Sequence, residues 1–200
     1  MTKATTYLVD SDVFITAKNL YYAFGLCPGF WKSVLHQHRT GRVFSVDRVR
    51  GELLAGTETE DLVRWVKEEV PRDFFLPVDA DAVVSAYTEI MMWVQRHARY
   101  FDHAKAKFAT GADGWLVACA RVQGAAVVTN EREAPESRKE IKLPDVCDEF
   151  GVEHPNVFEM LRALDVQFDW TGPLSHPSHE GPGATGSPRN ASRSRPHQSD

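Results

Sequence analysis

The chain has 200 residues, 42% of them hydrophobic and 26% charged, with a formal net charge of −5. Those values suit one soluble globular domain whose core can fold without disulfide or metal staples. The acidic balance argues against bulk electrostatic coating of nucleic acid and against a polybasic membrane-surface role. Cys27, Cys119 and Cys147 are odd in number, far apart and form no CxxC. That pattern is not a disulfide framework or a zinc ribbon, and it fits a reducing cytosol. No apolar run approaches a membrane span, and Asp10 interrupts the N-terminal segment too early for a signal-peptide core. The expectation is a cytoplasmic protein with no membrane partner.

Tyr7-Leu8-Val9 reads as a short buried strand ending at an acid. A helix is expected after Asp12, an N-cap type of residue. Pro28 opens a second helical stretch through Phe30, Trp31, Val34 and Leu35, which Gly41 stops. Val43 to Val46 is the second strand, and Asp47 is the expected N-cap of a helix carrying Val49, Glu52 and Leu53. Thr57-Glu58-Thr59-Glu60 has capping-box spacing ahead of Leu62, Trp65 and Val66. A long helix follows Asp79 through Val83, Val84, Tyr87, Ile90, Met91 and Val94. Asp113 to Val122 is another, with Leu116, Val117 and Ala120 on its apolar side. Ala125 to Val128 is the third strand, ending at Thr129. Leu143 begins a short helix, and Val157 to Leu164 is the last one.

From about Thr171 the chain is rich in Pro, Gly and Ser and almost free of large apolar residues. It cannot bury enough surface to offset its ordering entropy, so residues 171–200 are expected to be a disordered tail after a domain spanning 1–170. His176, His179 and His197 fall in that tail and read as solvated. Short apolar strands alternating with helices predict an α/β fold with a parallel sheet covered on both faces.

In open parallel sheets ligands bind beyond the carboxyl ends of the strands. Asp10 and Asp12 follow the first strand, and Glu131 follows Val127-Val128-Thr129-Asn130. Glu52 lies in the helix after the second strand, and Asp113 opens an otherwise apolar helix. Taken singly, Asp113 reads as a helix cap and Glu52 as a solvated residue. The four segments YLVDSDVFI, VRGELL, GADGWLVACA and VVTNERE occur in that order, each in strand or helix context. Together they resemble the PIN-domain nucleases, the family that includes the VapC toxins. Pro28 to Trp31, Lys142 to Cys147 and Phe158 to Leu161 are similar to signatures of a longer PIN-like branch.

The resemblance implies a three-layer α/β/α fold with a short central parallel sheet. It implies cleavage of RNA by Mg²⁺ or Mn²⁺ held by Asp10, Glu52, Asp113 and Glu131. Thr129 would be a supporting hydrogen bonder, and Ser11 would sit beside the first acid. A cognate antitoxin protein and a homodimer are implied on the same ground. Two positions depart from the family pattern: Asp12 stands where Asn or Ser is commoner, and Glu131 where Asp is commoner. Neither removes a carboxylate.

The chemistry asks for such a site. Mg²⁺ and Mn²⁺ prefer carboxylate and water ligands, and clustered carboxylates repel one another unless a cation lies among them. Arg96, Arg99, Lys105 and Lys107, interleaved with Tyr100 and Phe101, and Arg48 and Arg50 just before Glu52 are candidate RNA contacts. Trp31, Trp65, Trp93 and Trp115 have helical apolar spacing and read as core. His36 and His38 do not share a helix face, so they form no joint metal site. Cys119 and Cys147 read as inert core thiols.

Two other readings stay open at this point. Asp10-Ser11-Asp12-Val13 also fits the opening of haloacid-dehalogenase-type phosphatases, with Asp10 as nucleophile and Asp12 as general acid. That family needs a downstream Lys, for which Lys139 and Lys142 are poor fits, and it leaves Glu52 and Asp113 unexplained. A non-catalytic PIN-fold RNA-binding module is the other; such modules usually lose an acid, and here all four positions are acidic.

Overall fold

A computed structural model describes residues 5–169, so the predicted tail lies outside the described residues. β1 (Tyr7–Val9) is apolar and buried along its whole length. α1 (Ser11–Thr16) follows at once. Its N-cap is Asp10, not Asp12 as the sequence suggested: Asp10 has extended backbone, and its carboxylate accepts the Ser11 N–H at 2.6 Å. This frees the Asp12 side chain to reach elsewhere. α1 runs into a π-helical turn, Ala17–Tyr21, closed by the Tyr22 N–H on the Ala17 carbonyl at 2.7 Å.

α2 (Pro28–Arg39) carries Pro in its first turn, where no N–H is missed, and buries Phe30, Trp31, Val34 and Leu35. Gly41, at φ 76°, turns the chain into β2 (Val43–Val46). α3 (Asp47–Leu53) starts at Asp47 itself, with Val46 as an N-cap that offers no side-chain bond. The Thr57–Glu60 box forms a separate turn, with Glu60 accepting the Thr57 N–H at 3.2 Å, ahead of α4 (Asp61–Glu68). A 3₁₀ turn (Arg72–Phe74) leads to β3 (Phe75–Leu76).

α5 (Asp81–Arg96) follows, then α6 (Asp102–Thr110), which the sequence reading did not anticipate. α6 buries only Ala104 and Phe108, so its apolar stripe is too thin to show as a period. α7 (Asp113–Gln123) ends at Gly124, at φ 63°, and β4 (Ala126–Val128) follows. α8 (Leu143–Glu149) and α9 (Val157–Ala163) complete the fold.

Among the described residues the strands form one parallel sheet in the order β3-β2-β1-β4, with helices around it in a three-layer α/β/α arrangement. Tyr7 pairs with both Val43 and Ala126, and Val9 pairs with Val128. The chain leaves β1 toward β2 and β3 and later returns to β1's other side as β4. That reversal is the topological switch point, where open α/β sheets leave a crevice. Leu8, Phe14, Phe30, Trp65, Ile90, Leu116 and Leu143 are fully or almost fully buried around the sheet. Each such side chain contributes about 1.5–3 kcal/mol by burial.

α7 crosses α5 with Trp115 stacked on Tyr87, ring centroids 3.6 Å apart. Gly114 permits this approach. A Cβ there would lie 3.0 Å from the Tyr87 ring and 3.2 Å from Phe108. No helix among the described residues is long and apolar enough to cross a membrane.

Candidate functional site

Asp10 leaves β1 at the switch point. Its N–H donates to the Val128 carbonyl at 3.0 Å, carrying the β1–β4 ladder one residue further. Its side chain is only 4% exposed. The pKa is pushed well above the usual carboxylate value, first by burial and then by the charges of Asp12 and Asp113. Thr129, at the end of β4, faces it: the Thr129 hydroxyl lies 3.3 Å from Asp10 Oδ2 and 3.4 Å from Asp12 Oδ1. The same hydroxyl accepts the Glu131 N–H at 3.1 Å, which sets the backbone of the next acid. Asp12 accepts the Asn130 N–H at 3.2 Å. Its pKa is also raised, by burial above all, although its hydrogen bonds act in the opposite direction.

Glu52 arrives from α3 and is held from two sides. Ser11 Oγ donates to Oε2 at 2.7 Å, and the Ala112 N–H donates to Oε1 at 2.9 Å. The first bond ties it to the start of α1, and the second to the residue just before α7. Asp113 then opens α7. Burial, followed by the charges of Glu131, Glu52 and Asp12, raises its pKa to about 7. Glu131 accepts the Leu143 N–H at 2.9 Å, so it caps α8, and it pairs with Lys142 Nζ at 3.3 Å. Lys142 also meets Glu140 at 2.9 Å, and Lys107 meets Glu140 at 3.4 Å.

All four predicted acids, with Ser11, Asp12 and Thr129, therefore converge. Glu52, Asp113 and Glu131 line one cavity of about 280 Å³ together with Lys107 and Lys142. The donor set is all oxygen, and burial with neighbouring like charges raises the Asp10 and Asp113 carboxyls, Lys107 offsetting only part of it at Asp113. That combination fits a hard divalent cation such as Mg²⁺ or Mn²⁺. Among the described residues, no three of these acids bring one oxygen each within 4.8 Å of one another. Glu52 and Glu131 are turned toward Ser11, Ala112, Lys142 and Leu143 instead.

The trio that does meet that distance is Glu133, Asp148 and His154, at a separate place, with Glu133 and Asp148 exposed. His154 Nε2 lies 2.9 Å from Asp148 Oδ1. These residues come from the loop after β4, from α8 and from the loop before α9, and no spacing in the sequence joins them. A cleft of about 620 Å³ runs past Asp148 and His154 to Thr5 and Tyr7 at the amino end of β1, away from the four acids.

The basic residues divide. Arg48 lies over the Trp115 ring at 5.4 Å and Arg50 over Phe75 at 6.0 Å. Arg99 bonds the Pro135 carbonyl and the Tyr100 hydroxyl, and Lys105 bonds the Gln95 carbonyl at 2.9 Å. Arg99 and Lys105 are thus occupied with the protein itself, while Arg96 is exposed at the end of α5. The cations that meet the acid cavity are Lys107 and Lys142. Lys142 sits within the Lys142–Cys147 signature, and its ammonium role becomes visible only when the loop after β4 folds back. Trp31 and Trp65 are buried, and Trp93 and Trp115 half-buried. Burial pushes the Cys119 thiol to about 11, and raises that of Cys147 too, so neither is an activated nucleophile.

No curated protein matches the chain. Residues 7–168, from the first residue of β1 to beyond α9, match the family described as Domain of unknown function (DUF4411), and the chain belongs to that family.

Proposed function

We propose that the chain is a metal-dependent ribonuclease of PIN type, hydrolysing RNA phosphodiesters with Mg²⁺ or Mn²⁺. The observation that carries this reading is the convergence of Asp10, Asp12, Glu52, Asp113 and Glu131 at the switch point between β1 and β4. Asp10, Asp113 and Glu131 are the residues that would hold the ion, with Glu52 joining them across the cavity. The bound cation supplies polarisation of the phosphodiester and acidification of an attacking water.

The chain's own part is to position. Ser11 and the Ala112 N–H keep Glu52 aligned, and Thr129 aligns Asp10, Asp12 and Glu131. Lys107 and Lys142 offset phosphate charge at the rim of an acidic cavity. Ser11 Oγ is committed to Glu52 and the buried thiols are held protonated, which favours water as the nucleophile. Toxin action, a cognate antitoxin and a homodimer rest on the PIN resemblance and are proposed with it. A reducing, cytoplasmic setting is supported by the free Cys27, Cys119 and Cys147.

The test is cleavage of total RNA by wild type, Asp10→Asn and Asp113→Asn, with and without Mn²⁺. Metal-dependent cutting by wild type that both substitutions abolish is the expected result. Full activity in both variants would sink the reading. Metal binding without cutting would assign a binding module instead, and an aspartyl-phosphate trapped on Asp10 would assign phosphatase chemistry.

A further inference from the structure

A second cavity, about 560 Å³, adjoins the acids on their other side. Asp12 and Glu131 form one wall, and Tyr21, Phe158, Asn130 and Arg132 form much of the rest. Glu131 lines both this cavity and the acid cavity, so the two are neighbours across one side chain. The volume lies within the range of about 300–1,000 Å³ common for small-molecule sites.

Its contents suit a flat polar ring. Tyr21 and Phe158 are 55% and 39% exposed, high values for rings of that size, and meet edge to face with centroids 5.5 Å apart. They are backed by Tyr22, which is itself stacked on the buried Phe30 at 4.4 Å. The platform is therefore anchored while its outer rings stay open. Tyr21 is the last residue of the π-helical turn that follows α1. Asn130 is fixed through its backbone N–H to Asp12 and so holds the wall of the cavity next to that carboxylate. Arg132 adds a cation beside it.

We propose that this cavity is a nucleobase subsite: Tyr21 and Phe158 stack a base of single-stranded RNA next to the scissile phosphate, and Arg132 meets the adjoining phosphate. The proposal rests on the ribonuclease reading above and adds the residues that grip the strand. A duplex keeps its bases stacked and unavailable, so the subsite selects single strands.

The test compares wild type, Tyr21→Ala, Tyr21→Phe and Phe158→Ala on a short single-stranded RNA, and on the same RNA with one base removed in turn at each position. Tyr21→Ala and Phe158→Ala should each raise KM about ten-fold, the effect of losing one stacked base, with kcat little changed. Tyr21→Phe should restore KM. Removing the base that occupies the subsite should weaken wild type by a similar factor and leave Tyr21→Ala no worse. Unchanged KM in both alanine variants, or fully additive losses, would overturn the subsite. So would unchanged KM with altered self-association, which would make the aromatic pair a contact between copies. If wild type cuts no RNA, the ribonuclease reading fails by itself. Fluorescence anisotropy of the same strand then decides the subsite: weaker binding by the alanine variants supports it, and equal binding overturns it.

Discussion

At Asp113, burial and three neighbouring carboxylates raise the carboxyl from 3.8 to about 7. Between those values the unfolded chain gives up its proton more readily than the folded one. Stability of the metal-free protein therefore falls as pH rises from about 4 to about 7 and is flat above that window, as far as this group is concerned. Asp10 contributes with the same sign. Asp113→Asn should accordingly raise the thermal midpoint of metal-free protein at pH 8 and barely change it at pH 4. Each kcal/mol corresponds to about 2–4 °C. The same variant should lose about a hundred-fold or more in Mn²⁺-dependent cutting, so stability and activity move in opposite directions. Ser11→Ala tests positioning rather than ligation. Without its 2.7 Å bond, Glu52 keeps only the Ala112 N–H, and kcat should fall about ten- to a hundred-fold with KM little changed. The identity of these residues was legible from four short motifs. Their hydrogen bonds were not, because Ser11 and Glu52 are 41 residues apart and no local pattern encodes such a pair.

α7 shows how an element sets a site. Its first turn carries Asp113, and Gly114 lets that turn press against Tyr87 and Phe108. Gly114→Ala places a methyl 3.0 Å from the Tyr87 ring. It should cost about 1–3 kcal/mol by overpacking, read by denaturant unfolding, and reduce cutting by displacing Asp113. α9 shows the same dependence at the second cavity, which Asn156 and Phe158 line. Asn156 accepts the Phe158 and Glu159 N–H groups in a complete capping box. Asn156→Ala should cost about 1 kcal/mol. Helices α2, α5 and α7 were readable because their buried residues recur at helical intervals. α6, with two buried residues, and β3, with two residues in all, had too little apolar pattern to stand out. The start of α1 was misplaced by the same local reasoning. Asp10 and Asp12 are both good caps, and only the strand ending at Val9 decides that Asp10 stands at the boundary.

At the scale of the molecule, the buried acids are a folding cost, and the proposed cation would relieve it. Mn²⁺ at a hundred times its dissociation constant should stabilise the protein by about 2.7 kcal/mol. The gain should be larger at pH 8 than at pH 5, where protons compete for Asp10 and Asp113. Scanning wild type, Asp10→Asn and His154→Ala with Mn²⁺ separates the two places where carboxylates gather. The gain should vanish in Asp10→Asn and survive in His154→Ala; the reverse would assign the ion to Glu133, Asp148 and His154. The sequence by itself determined an α/β architecture, the strands β1, β2 and β4, and the acids at their ends. Those follow from hydrophobic periodicity and local caps, which a single segment already contains. Only the tertiary structure decided that β1 and β4 are neighbours, that Lys142 reaches Glu131, and that Tyr21, Asn130 and Phe158 share one cavity. Each joins segments distant along the chain. What brings them together is burial of the sheet under α7, on which α5 and α8 pack in turn, a property of the packed whole and not of any stretch of it.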